Sequence, residues 1–134
     1  MDRGNLLKHL IFLMFFIFLA HLLAEQFYWY YSIAWFDMFM HFLGGVWLGL
    51  FFFYVFSRNK QIVPSFFKII FFVLMVGILW EVFQFFTKNY IGRDPFDIID
   101  TLSDVFFDLL GGLCVILYVW KKRLKSHFAG ERVQ

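Results

Sequence analysis

The sequence predicts an all-α polytopic membrane protein, with four transmembrane helices in one compact bundle. Three observations carry that expectation. Of 134 residues, 62% are hydrophobic and 25% aromatic while only 16% are charged, a balance that an ordinary water-soluble domain does not sustain. The apolar residues fall into four blocks, each near the length of about 20 residues that a helix rising 1.5 Å per residue needs to cross hydrocarbon. The basic residues then gather at alternate block ends, as the spans of a multi-pass protein require. Four spans nearly use up the chain, so residues 1–134 read as a single transmembrane domain.

The first helix is expected at about residues 6–24, where Arg3 and Lys8 lead into a long apolar run. A cleaved signal sequence is the alternative, because a basic start precedes an apolar core and the small residues of "AHLLA". The length of the run, and the even number of helices it preserves, favour a span. The second helix is expected at about 38–56 and the third at about 65–86, the latter entered just after Pro64. The fourth, at about 97–120, follows Asp94-Pro95, an N-cap residue with proline at the first helical position. Lys121, Lys122, Arg123 and Lys125 close it as a cluster attracted to anionic lipid. The single cysteine, Cys114, excludes an intramolecular disulfide.

Basic residues near helix ends set orientation. Arg3, Lys8, Arg58, Lys60, Lys68, Lys121, Lys122, Arg123, Lys125 and Arg132 lie on one side, and only Lys88 and Arg93 on the other. Both termini are therefore expected in the cytoplasm, with "FYWYY" as an aromatic belt at the outer interface. In that topology Glu25, Asp37, Glu81, Asp94, Asp97, Asp100, Asp104 and Asp108 all fall in the outer half of the molecule or its outer loops.

Within each helix the polar groups share one face, since residues three and four apart stack on the same side. The stripes are His21 and Glu25; Asp37, His41, Gly44, Gly45 and Gly49; Gly77, Glu81, Gln84 and Lys88; and Asp97, Asp100, Asp104, Asp108, Gly111 and Gly112. Glycine beneath the polar layer permits the close backbone approach that holds helices together in lipid. The stripes are thus expected to face one another. "DMFMHFLGG" from Asp37 and "DVFFDLLGG" from Asp104 form a weak internal repeat, which suggests two hairpins related by a pseudo-twofold axis along the membrane normal.

An ionised carboxylate within the membrane costs about 2.5 kcal/mol or more, and several acids at one site demand a cation. A divalent metal resolves the conflict: oxygen ligands suit magnesium, calcium or manganese, and an imidazole shifts the balance toward manganese or zinc. The candidate ligands are His41, Glu81, Asp100, Asp104 and Asp108, surrounded by His21, Glu25, Asp37, Gln84 and Asp97. Glu81 and His41 are the candidate catalytic bases, and Lys88 and Arg93 the candidate phosphate-binding cations.

Plainer roles compete. Asp94 reads more readily as a helix cap than as a ligand, Asp97 is balanced between the two, and Asp37 and Asp100 can serve as first-turn acids. His21 and Glu25 can pair one turn apart, and His9 and His127 lie near the cytoplasmic surface. For His41, Glu81, Asp104 and Asp108 the functional reading prevails, because they stand inside apolar blocks.

"DMFMHFLGG", "EVFQ" from Glu81, and "GRDPFDIIDTLSD" from Gly92 resemble the motifs of the VanZ-like proteins and their YjdF-like relatives, small multi-helix membrane proteins. Asp104 stands where the VanZ pattern has asparagine, and a glycine pair follows where that pattern has one, which is nearer the YjdF-like branch. The resemblance implies a bacterial envelope protein of the cytoplasmic membrane, in some members linked to glycopeptide-antibiotic resistance.

The expected function is a metal-dependent hydrolase or phosphotransferase acting on a lipid headgroup or lipid-linked envelope precursor at the extracytoplasmic side. The alternative is a non-enzymatic cation- or lipid-binding protein of VanZ type. Ser103 lacks a histidine at helical spacing and Cys114 lies too deep, which disfavours nucleophilic catalysis. The apolar lower halves of the helices disfavour a transport path. No nucleic-acid partner is expected. A unit this small is suited to homo-oligomers, though no motif sets a copy number.

Overall fold

The computed structural model describes residues 3–56, 66–87 and 97–131, with side chains described as far as Lys122. Five helices follow in order: α1 (Arg3–Gln26), α2 (Trp29–Ser32), α3 (Phe36–Phe56), α4 (Phe66–Thr87) and α5 (Ile98–Glu131), with no strand among the described residues. Four are long and apolar enough to cross a membrane: Arg3–Gln26, Phe36–Phe56, Phe66–Thr87 and Ile98–Lys122. The expected spans are found within a few residues.

Two features depart from expectation. The short helix α2 interrupts the first loop; Tyr28 adopts φ 57 in the left-handed region, and its carbonyl accepts from the backbone N–H of Tyr31 and Ser32. The turn brings the chain back from α1 to α3 within a few residues. The last helix also runs past its expected end near residue 120 to Glu131, because its basic stretch is built from good helix formers and meets no proline. At its start Asp97 is the cap: its Oδ1 accepts from Ile99 N at 2.9 Å. Asp94 and Pro95, expected to open this helix, lie outside the described residues.

The centre of the bundle is the parallel pair α3 and α5. A Cβ built on Gly45 would fall on the carbonyl of Asp108, and one on Gly111 would fall on the carbonyl of Phe42. The two backbones therefore touch, which only glycine permits and which small-residue packing in lipid requires. α1 runs antiparallel along α3, where Trp47 Nε1 donates to Leu10 O at 3.1 Å and Leu6 and Leu10 join Phe52 and Phe53 in the core. α4 runs antiparallel to α5 and buries Ile69, Val73 and Gly77. Each repeat helix thus carries an antiparallel partner. The symmetry is incomplete, since α4 also packs on α3 while α1 makes no close contact with α5 among the described residues.

Candidate metal centre

The two copies of the repeat meet at equivalent positions. His41 on α3 and Asp108 on α5 are 67 residues apart, the offset of the repeat itself, and stand in contact, Nδ1 to Oδ2, at 3.3 Å. Around the other ring nitrogen, Nε2, three carboxylates converge: Asp104 Oδ2 at 3.7 Å, Glu81 Oε1 at 3.8 Å and Asp37 Oδ1 at 3.9 Å. Helical geometry accounts for this layout. Asp37 precedes His41 by one turn, Asp104 precedes Asp108 by one turn, and parallel packing of α3 on α5 puts both pairs at one level.

The centre is dry. His41, Asp104 and Asp108 are buried, Asp104 completely. Both carboxylate oxygens of Asp104 have no hydrogen-bond partner among the described residues. A buried carboxylate without such partners is costly, and several acids around one imidazole compound the cost.

The separations bear on what the group can hold. With Nδ1 protonated, His41 donates to Asp108 and turns the lone pair of Nε2 toward the three carboxylates. Distances of 3.7–3.9 Å exceed the 2.7–3.2 Å of a hydrogen bond. Two ligands held about 2.1 Å from one ion stand about 3.0 Å apart at right angles and about 4.2 Å apart when opposed, so the observed spacing lies inside that window. Asp37, His41 and Asp104 each present a ligand atom, all within 4.8 Å of one another. A histidine that gives its second N–H to a carboxylate is the usual arrangement behind a metal-binding imidazole.

Glycine shapes the seat. A Cβ on Gly77 would stand 2.7 Å from Asp108 Oδ2, whereas one on Gly44 would stand 3.6 Å from Oδ1. Glycine in α4 therefore makes room for the carboxylate that holds His41, a role beyond the helix packing expected of it.

The other expected residues sit farther out. Asp100, Gln84 and Asp97 line a cavity of about 720 Å³ that reaches the centre, together with His21 and Glu25 from α1. His21 finds its hydrogen bond not one turn away but at Tyr30 of α2, Nδ1 to Oη at 2.9 Å. Burial, helped by the negative charges of Asp37 and Glu25, pushes the Tyr30 hydroxyl up to about 12, and the tautomer of His21 sets which of the two donates in their hydrogen bond. Tyr30 was not singled out from the sequence, where it is one of several interfacial aromatics. Asp37, placed in the surrounding layer, stands at the Nε2 side; Asp108, placed with the ligands, stands at the Nδ1 side. Lys88 and Arg93 lie outside the described residues.

The geometry thus shows a buried His/Asp cluster, in which Asp37, His41 and Asp104 form a group that could hold a metal ion. No curated protein and no solved structure matches the chain. Residues 2–125 match the family model described as Predicted membrane protein (DUF2238), and the chain belongs to that family.

Proposed function

We propose that this protein is a metal-dependent hydrolase or phosphotransferase of the bacterial cytoplasmic membrane, acting on a lipid headgroup or lipid-linked envelope precursor. The observation that carries the reading is the buried Asp104, with no hydrogen-bond partner for either oxygen among the described residues, beside an imidazole nitrogen ringed by carboxylates at metal-sharing distance. His41 Nε2, Asp37 and Asp104 hold the cation, and Asp108 fixes the ring through Nδ1. One imidazole among carboxylates favours manganese or zinc over magnesium or calcium. When bound, such an ion supplies Lewis acidity and eases deprotonation of water.

Glu81 is the general base. Its Oε1 lies 3.8 Å from His41 Nε2 and the residue lines the cavity. It takes the proton of the attacking water as the phosphoester P–O bond breaks, and returns it to the leaving oxygen. Asp100 adds to the negative field that draws a cation inward. Lys88 and Arg93, next in sequence beyond α4, are the cations that receive the phosphate. The resemblance to YjdF-like and VanZ-like proteins supports an envelope setting.

Metal analysis tests the reading. Detergent-purified wild type is expected to carry about one divalent ion per chain, and the Asp104→Asn, Asp108→Asn double variant less than about a tenth of that, as loss of a ligand and of its supporting carboxylate implies. Absence of metal from both proteins would sink the proposal. Incubation of lipid extracts with manganese is then expected to change a headgroup, and Glu81→Gln to slow that change by about 10²–10⁴-fold.

A second reading, a cation- or lipid-binding protein without turnover, is favoured by one observation: no lysine or arginine lines the cavity among the described residues. Metal retention with no headgroup change would select it.

Both termini face the cytoplasm in this proposal, and the centre faces outward. In a Cys114→Ala background, a membrane-impermeant thiol reagent is expected to label Tyr31→Cys in intact cells and to miss Lys60→Cys. The reverse pattern would invert the orientation.

A further inference from the structure

The cavity at the metal centre does not end at the acids. Its polar end is His41, Asp37 and Glu81; its far end is walled by Ile17 and Phe18 of α1, Leu48 of α3 and Val76 of α4. His41 and Leu48 stand seven residues apart on one helix, so the apolar part runs about 10 Å along the bundle axis. All three helices involved, α1, α3 and α4, are candidate spans. α1 and α4 flank α3 without packing on each other among the described residues, and the cavity is lined from both sides of the gap between them, by Ile17 and Phe18 of α1 and by Val76 and Trp80 of α4.

An apolar slot at this depth, open between two membrane-spanning helices, faces hydrocarbon and not water. A slot filled only by bulk lipid would need no polar end. This one is continuous with a buried cluster of carboxylates, and its occupant must therefore combine a chain that suits Phe18, Leu48 and Val76 with a head that suits a cation. The whole cavity, polar and apolar parts together, has a volume of about 720 Å³, that of a specific ligand site. We propose that the cleft between α1 and α4 takes the acyl chain of a phospholipid whose phosphate lies at the His41–Asp104 centre, and that the lipid enters sideways from the bilayer. The inference rests on the metal centre proposed above, because the carboxylates alone would repel a phosphate. The cleft accommodates only the upper part of a chain; the remainder extends through the opening into the membrane.

The test uses the full chain in phosphatidylcholine vesicles containing a trace of phosphatidic acid with a photoreactive diazirine on one acyl chain. After irradiation, adducts are mapped by mass spectrometry. They are expected to favour Ile17, Leu48 and Val76 over the outward-facing Phe12, Phe71 and Leu79 by about tenfold, the ratio that about 1.4 kcal/mol of site preference gives. Excess unlabelled phosphatidic acid should abolish the preference, and excess diacylglycerol, which lacks the phosphate, should not. Ile17→Trp, which fills the slot without touching the acids, should remove the cleft adducts and leave the metal content unchanged. If that variant does not fold, the competition in wild type still decides. Even labelling of all outward faces, or labelling indifferent to phosphatidic acid, would overturn the proposal, including the case in which a second copy of the chain occupies the cleft. Metal content of the same samples separates the two readings. Metal with even labelling removes the cleft alone, whereas competed cleft labelling without metal keeps the cleft as a lipid site but removes the metal centre and, with it, the placing of the phosphate at His41 and Asp104.

Discussion

Gly45→Ala is expected to separate α3 from α5, while Gly44→Ala, one residue earlier, leaves the bundle intact. The new methyl at 45 would land on the carbonyl of Asp108, with that residue's carbonyl carbon 2.7 Å and its Cα 2.9 Å away. These atoms belong to the backbone of a helix and have no flexible end to swing aside. Overpacking typically costs about 1–3 kcal/mol and occasionally more, and a clash between two backbones belongs at or above the top of that range. At 44 the nearest atom is Asp108 Oδ1 at 3.6 Å, an ordinary contact. There the helix propensity of alanine over glycine, about 1 kcal/mol, should leave stability unchanged or slightly raised. Unfolding in detergent measures both. A similar loss for the two variants would mean that α3 and α5 do not approach as described. Because the same contact aligns His41 with Asp108, Gly45→Ala should also lose bound metal.

The second large effect is expected from His41→Ala in metal-free protein. The ring nitrogen Nδ1 is the hydrogen-bond partner of buried Asp108, and Nε2 stands 3.7 Å from Oδ2 of buried Asp104. Removing it takes the imidazole away from both buried carboxylates. Breaking a buried pair by deleting one member typically costs about 3–5 kcal/mol. His41→Ala combined with Asp108→Ala should recover part of that loss, because the second change removes one of the stranded charges. A thermodynamic cycle in the presence of a chelator reads this coupling directly. Additivity of the two single effects within about 0.5 kcal/mol would show that the residues do not interact.

Much of this architecture is legible from the chain. A segment in hydrocarbon must satisfy its own backbone polar groups, so a span must be a helix, and lipid demands a continuous apolar run. Those two constraints are local, which is why the four spans are found close to their expected positions. The depth of the polar layer is legible for the same reason: the rise per residue is set by the helix hydrogen bonds, and it brings His41, Glu81 and Asp104 to about one height, with Asp108 one turn deeper, whatever their neighbours are. The repeat pointed further, to equivalent positions of two helices running in the same direction, and His41 and Asp108 do meet.

Other features depend on contacts that no single helix contains. The helix α2 arises from a left-handed Tyr28 whose conformation the aromatic sequence does not announce. The continuation of α5 past residue 120 has no stop signal to mark it, and a basic cluster ends a membrane span without ending a helix.

The rows of acids and glycines needed only hydropathy and a period of 3.6 to be found, since both are properties of one helix considered alone. Which nitrogen of His41 faces Asp108 and which faces Asp37, Glu81 and Asp104 was settled by the rotation of α3 against α5, itself governed by glycine contacts between distant segments. The opening between α1 and α4 likewise belongs to neither helix. It exists because both find their partners on α3 and α5 and not on each other, and such a preference is a property of paired surfaces in three dimensions.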